Sequence, residues 1–353
     1  MYASLLMMGI STSIIGILPP AASAGVGVVI VLQLMRLAQC FGRGGTWGGG
    51  ILMAYENVPE NKRSFYAAIP QIGLPIGFGL SSILIAVPTL LLPEDIFFTW
   101  GWRIPFLAAI ILTLIVIRQK GEMMETEDYK KAQAKLEAEE AEGKKHKVGF
   151  IPMVKGYWKT LLLGCGTRWV DGTFYNIFIV WILSYCINWL GMPLIQTYII
   201  TIIACIFKIP FTLFGGWCAQ KLGNTRTFVI GALASAVLSI PTLKVIELSK
   251  GNLAITIIGI VLGWSIAYNL IWAVISSLWS SYFETEVRYS GISFVYHVPS
   301  FLVAGMVPTI CTLLINYGKG DTIYVGIYST VVALISAASV SYTHLPSPRD
   351  GAT

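Results

Sequence analysis

Six ionisable side chains fall inside apolar stretches long enough to cross a membrane: Arg36, Arg43, Arg168, Asp171, Lys208 and His297, with Glu56 at the end of one such stretch. Charge is costly in hydrocarbon, so intramembrane ionisable residues generally face a cavity or a partner and carry function. Arg168 and Asp171 are three residues apart, share a helix face and can pair, which lowers the cost of burying either. Arg36 and Arg43 are seven apart, again on one face. The excess of basic over acidic groups would attract an anion, and the guanidinium fork suits a carboxylate. In such a site Arg36 and Arg43 hold the substrate. Asp171 gains and loses a proton, Arg168 tunes it by attraction to the ionised form, and His297 is a further proton-handling candidate. Each has a plainer reading: Arg168–Asp171 as a lock between helices, His297 bonded within a bundle, Arg43 facing only one half of a pore, Lys208 snorkelling toward an interface.

The elements that hold these residues follow from composition. Of 353 residues 55% are hydrophobic, and 24 basic and 18 acidic residues carry all the formal charge. Fifteen of those charges fall between Lys120 and Lys147. The remainder are too few to coat a soluble globule, whose surface carries roughly a quarter to a third charged residues. A soluble enzyme, a disordered chain and a disulfide-stapled domain are excluded. The net charge of +6 is dispersed toward span ends and is no nucleic-acid signal.

A membrane helix needs about 20 mostly apolar residues. Ten stretches qualify: 2–19, 26–55, 65–92, 102–118, 158–186, 194–218, 227–246, 253–281, 290–315 and 322–340. Lys and Arg concentrate in alternate connections (Lys62–Arg63, the long loop after Arg118, Lys221–Arg226 and Arg288), which predicts both chain ends and the large loop on the cytoplasmic side of a cell (inner) membrane. The Ala/Glu/Lys-rich segment reads as a solvated tether. The expected organisation is a partial first bundle over 1–118, a linker over 119–156, a six-helix bundle over 157–341 and a foreign-looking polar tail over 342–353. The start inside an apolar run, with no basic leader, fits an interrupted frame with two spans missing in front.

No HExxH, GxSxG or metal-spaced His/carboxylate set occurs, so no enzyme, metal or cofactor is expected. The six cysteines lack CxxC spacing and read as reduced packing residues. The glycines of 42–50 sit where small residues let helices touch, and Pro70, Pro75, Pro105, Pro210, Pro241, Pro299 and Pro308 mark places where helices bend.

The stretch RLAQCFGRGGTWGGGILMAYENVPENKRSFYAAIPQIGLPIGFGL (36–80) resembles spans four and five of the metabolite–proton symporter family, a branch of the major facilitator superfamily that includes shikimate, α-ketoglutarate, citrate and proline/betaine transporters. FTWGWRIPFL (98–107) and ETEVRYSG (284–291) are similar to its entry to span six and its loop between spans ten and eleven. QIGLPIG and PEDIFFTWGWRIPFL are most similar to shikimate-type members. The resemblance implies an all-α, polytopic two-bundle fold with about ten of twelve transmembrane helices present, and proton-coupled uptake by alternating access. It places Arg36 on the fourth-span arginine, Arg168 and Asp171 on the seventh-span basic–acidic pattern, and Tyr268 and Tyr296 on aromatic positions that join Arg36 and Arg43 as substrate-binding candidates. Glu56, Arg63, Arg226 and Arg288 are the gating candidates. Two departures stand out: Thr46 replaces the acid of the usual GGEWGG, and GWCAQKLGNTRT carries Gln220 and Asn224–Thr225 where the family has a charged latch. The expectation is a monomeric proton symporter of a small organic anion such as shikimate or a dicarboxylate. An uncoupled or zwitterion carrier, or a transport-inactive fragment, is the alternative.

Overall fold

The computed structural model describes residues 2–20, 25–56, 58–59, 62–118 and 150–343. The described residues are helical with short turns, and nine helices are long and apolar enough to cross a membrane, with a shorter apolar helix, Ala3–Ile17, before them. In chain order they are α1 (Tyr2–Ile17), α2 (Val26–Glu56), α3 (Arg63–Leu91), α4 (Gly101–Arg118), α5 (Met153–Asn188), α6 (Leu194–Leu222), α7 (Asn224–Leu248), α8 (Leu253–Ser280), α9 (Val287–Tyr317) and α10 (Ile323–Thr343). They coincide with the ten apolar stretches of the sequence. The expected tether lies largely outside the described residues (119–149), as do most of the expected tail (344–353) and the side chains of Thr46 and Glu56.

Large apolar side chains such as Leu162, Ile206, Val237 and Leu313 point outward. In water that surface would be a liability; in lipid it is the solvated face. Large apolar side chains such as Trp264, Phe174, Phe178 and Leu243 also form the inside, with small and hydroxyl residues among them at helix contacts. Ser336 on α10 donates to the Gly166 carbonyl (2.7 Å) and accepts from the Val170 N–H (3.1 Å) on α5. Trp279 Nε1 on α8 donates to Thr167 Oγ1 (2.7 Å). Gly42 lets α2 approach α1: a Cβ there would lie 2.7 Å from the Ser4 carbonyl oxygen.

The helices pack as two groups. Helices α1, α2 and α4 form one, and α5 to α10 the other. Helix α3 completes the first group by packing on α2 and α4, and it also carries that group's main contact with the second, on α6 and α8. The tight α6–α7 turn is one residue, Gly223, whose φ of +88° lies in the left-handed region where a Cβ would be strained.

Prolines do mark breaks in α3, where a tight turn spans Pro70–Ile72, and in α9, where Ala304–Met306 lies between Pro299 and Pro308. Two further irregularities have no proline: α5 widens into a π-helical segment at Asn176–Trp181 and α8 at Val261–Ala267. Such segments cluster at functional sites. Here they touch, because Gly263 lies against the ring of Phe178.

One end of the second group is closed by a polar clasp. Lys244 on α7 bonds Glu247 (3.0 Å) and Asp321 (2.6 Å), and Glu247 accepts from the N–H and hydroxyl of Thr322 (both 2.8 Å). Lys244 and the Ile323 N–H hold the Asp321 carboxyl below its usual value. A depressed carboxyl contributes stability above its unfolded pKa and loses it as pH falls through the folded one. Acidification below about 3.8 should therefore lower the thermal midpoint of the protein more than that of Asp321→Asn. The clasp is partly exposed, so Lys244→Ala should cost no more than about 1 kcal/mol.

Candidate functional site between the two helix groups

The centre of the site is Asp171, which is 1% exposed, on the inner face of α5. One helical turn earlier, Arg168 pairs with it. From α8, the buried Tyr268 donates its hydroxyl to Asp171 and stacks on Phe174 (ring centroids 6.1 Å apart). Arg168 also reaches α9. Its guanidinium lies 4.4 Å from the centroid of the Tyr296 ring and donates to Ser300 Oγ (3.1 Å), which in turn donates to the Tyr296 carbonyl. Three helices thus converge on one carboxylate, and the pairing and hydrogen bonds offset its desolvation.

The first helix group meets this centre from the other side. His297 on α9 hydrogen-bonds the backbone of Gly44 on α2, and one turn on, Gly48 lies against Tyr289 and Ser293. The four-residue glycine spacing is therefore the α2–α9 contact. Arg43 lies within electrostatic reach of His297 and of Tyr175, whose ring meets Phe78 of α3 edge-on (5.9 Å). Arg43, Arg168, Asp171, Tyr268, Tyr296 and His297 are thus brought together. Arg36 stands apart, exposed on α2 and bonded to Gln39 (3.2 Å), which ties it to Thr12 of α1.

At one end the groups are shut. Gln71 of α3 and Trp272 of α8 exchange hydrogen bonds: Gln71 Nε2 donates to the Trp272 carbonyl (3.3 Å) and Trp272 Nε1 to the Gln71 carbonyl (3.1 Å). Ser276 donates to the Ala67 carbonyl (2.9 Å). Gln220, which departs from the acid of the family's charged latch, accepts from the Phe65 N–H at the start of α3 (3.3 Å). Arg63 and Arg288, from opposite groups, both lie near the Tyr55 ring (5.2 and 5.7 Å to its centroid). Arg226 is exposed on the first turn of α7. Gln220→Ala should leave the partly buried Phe65 N–H without its side-chain acceptor and weaken the closed end by about 0.5–1.5 kcal/mol. Faster thiol labelling of a cysteine placed at Ala67 is the measurement.

Lys208 does not snorkel. It is fully buried on α6, its ammonium donates to Asn269 Oδ1 (3.0 Å), and the rings of Trp264 and Tyr268 each lie 4.4 Å away, with Trp272 at 5.8 Å. Asn269 is itself fixed by donating to the Lys208 carbonyl (2.8 Å) and to Thr212 Oγ1 (3.0 Å). The sequence held a signal for this box: Trp264, Tyr268 and Trp272 recur every four residues and so share one face of α8. Among the described residues no group of His, Cys, Asp and Glu could hold a metal ion.

Among the described residues, ten apolar helices in two groups, with a paired carboxylate buried among α5, α8 and α9 of the second, suit a multi-pass membrane carrier. The chain belongs to the Major Facilitator Superfamily, whose family model matches residues 1–304. Over 350 residues it is 31% identical to the inner membrane metabolite transport protein YhjE of Escherichia coli K12, covering 98% of this chain and 77% of that protein. It is 30% identical over 338 residues to the shikimate transporter of the same organism, covering 94% and 74%. Among solved structures, a proton:xylose symporter superimposes with a TM-score of 0.72 over 98% of this chain and 80% of that one; at 16% identity the likeness is one of fold. The protein is thus a membrane transporter of the all-α major facilitator fold and not an enzyme.

Proposed function

We propose that this protein carries a small organic anion, a carboxylate of the shikimate or dicarboxylate kind, together with protons, by rocking its four leading spans against its six trailing ones. The observation that carries the reading is Asp171: a carboxylate buried inside the second group and held by an arginine and a phenol, with Arg168 reaching Tyr296 beside the His297–Gly44 contact to the first group. Protonation of Asp171 discharges its pairing with Arg168, which frees the guanidinium and the contacts it makes to α9. Arg43, on the facing group, offers a second cationic hold for the substrate carboxylate, with Tyr175 and Tyr296 as neighbouring walls. Arg36, a turn and more away, fits an approach or coupling role. Arg63, Arg288 and Gln220 gate the closed end, with Arg226 beside it, and the distribution of Lys and Arg supports placing that end and both termini in the cytoplasm. The chain acts as a monomer in this reading.

Reconstitution in vesicles tests it. Shikimate or a small dicarboxylate should accumulate under an inward proton gradient, acidify a lumenal pH dye on entry, and fall to equilibrium when a protonophore is added. A plateau indifferent to the protonophore would establish uncoupled transport, and accumulation of betaine or proline in place of the acids would move the substrate class to zwitterions.

A further inference from the structure

Lys208 is a buried cation without a carboxylate at ion-pair distance among the described residues. Its solvation consists of one amide oxygen and three aromatic faces. Such faces stabilise a desolvated ammonium and so offset part of its burial cost. The ammonium thus depends on the box for its solvation.

Two walls of that box are tied to different parts of the machine. Tyr268 gives its hydroxyl to Asp171 on α5. Trp272, one turn further along α8, exchanges two hydrogen bonds with Gln71 of the opposite helix group. Asn269, between them, binds the ammonium directly. The groups facing Lys208 thus come from α8 and from its own helix, where Cys205 and Thr212 lie one turn either side.

We propose that Lys208 is a positioning residue that couples the state of Asp171 to the closure between the two helix groups. When the groups part, the Gln71–Trp272 pair breaks and the box loses a wall. The ammonium then settles against the remaining rings, and Tyr268 no longer sits in register to donate to Asp171. Run the other way, a change at Asp171 shifts Tyr268, loosens the ammonium and weakens the hold of Trp272 on Gln71. Such linkage is reciprocal. The inference rests on the proton role proposed for Asp171, and the test separates the two.

A cysteine at Ala67, buried at the closed end, reports opening by its maleimide labelling rate in membranes, with Cys40, Cys165 and Cys218 replaced by Ser. The rate is compared between Asp171 and Asp171→Asn in three backgrounds: Lys208, Lys208→Arg and Lys208→Met. Coupling predicts that Asp171→Asn changes labelling by about fivefold or more, the lower edge of ordinary allosteric coupling, with Lys208 or Lys208→Arg, and hardly at all with Lys208→Met. The same change in the Met background overturns the role of Lys208 while leaving Asp171 as the trigger. No change in any background sinks the Asp171 reading itself and this inference with it. Lys208→Gln serves as a second uncharged variant. If neither uncharged variant elutes as folded monodisperse protein while Lys208→Arg does, the box is structural only and the inference fails.

Discussion

Asp171→Asn should abolish accumulation of substrate above equilibrium while leaving substrate exchange within about tenfold of the parent, a difference of ~1.4 kcal/mol. The amide is a neutral near-isostere of the protonated acid. Its oxygen can still accept from Tyr268, but as an uncharged acceptor it holds the phenol less tightly than the carboxylate does. It cannot take up or release a proton, so the gradient has nothing to act on. The variant should also be less stable, because removing one partner of a buried pair leaves the other charge uncompensated, at about 3–5 kcal/mol. Here the loss should fall toward the low end, since Arg168 keeps Ser300 and the face of Tyr296. Counterflow of labelled substrate between loaded vesicles measures exchange, and gradient-driven uptake measures coupling. Proton-driven accumulation at the parent level in Asp171→Asn would remove Asp171 from the mechanism.

Gly263→Val should carry a large packing cost beside the site. A Cβ at this position would lie 2.6 Å from the nearer edge carbon of the Phe178 ring and closer still to its tip. Both residues are buried in π-helical segments, which leave little room to shift. Overpacking of this kind costs about 1–3 kcal/mol, and a β-branched side chain cannot turn away from the contact as readily as a linear one. The strain falls where α5 and α8 meet, close to the Asp171–Tyr268 bond. Transport should therefore fall more steeply than stability. Gly77→Val is the control, since no atom stands within 4 Å of a Cβ there. Phe178→Ala in the Gly263→Val background should restore part of the lost thermal midpoint. If the two glycine variants lose the same midpoint and the same activity, the contact between the π-helical segments has no special weight.

The solvent and the helices were legible in the sequence because lipid imposes a coarse demand. Every span must be long and apolar. Ionisable residues that survive such a filter stand out, which is why Arg168, Asp171 and His297 could be singled out by position alone. The four-residue spacing of Gly44 and Gly48 was likewise readable as a helix contact, though not that its partner is α9. Spacing within one helix also gave the Arg168–Asp171 pairing, since residues three apart share a face whatever surrounds them.

Partners across helices were not legible. Snorkelling and full burial of Lys208 are equally compatible with a lysine in an apolar run, and only the packing of α6 on α8 puts Trp264, Tyr268 and Trp272 around it. Arg36 and Arg43 look equivalent on a helical wheel, yet Arg36 turns toward Gln39 while Arg43 sits near His297 and Tyr175. Gln220 read as a lost latch residue, and the fold shows an amide serving as an acceptor between the groups. The π-helical segments lack proline and announce themselves nowhere in the sequence. A hydrocarbon surround selects residue types one helix at a time and so writes itself into the sequence. Which side chains share a site depends on how separate helices are rotated and crossed, and that is decided only when they pack.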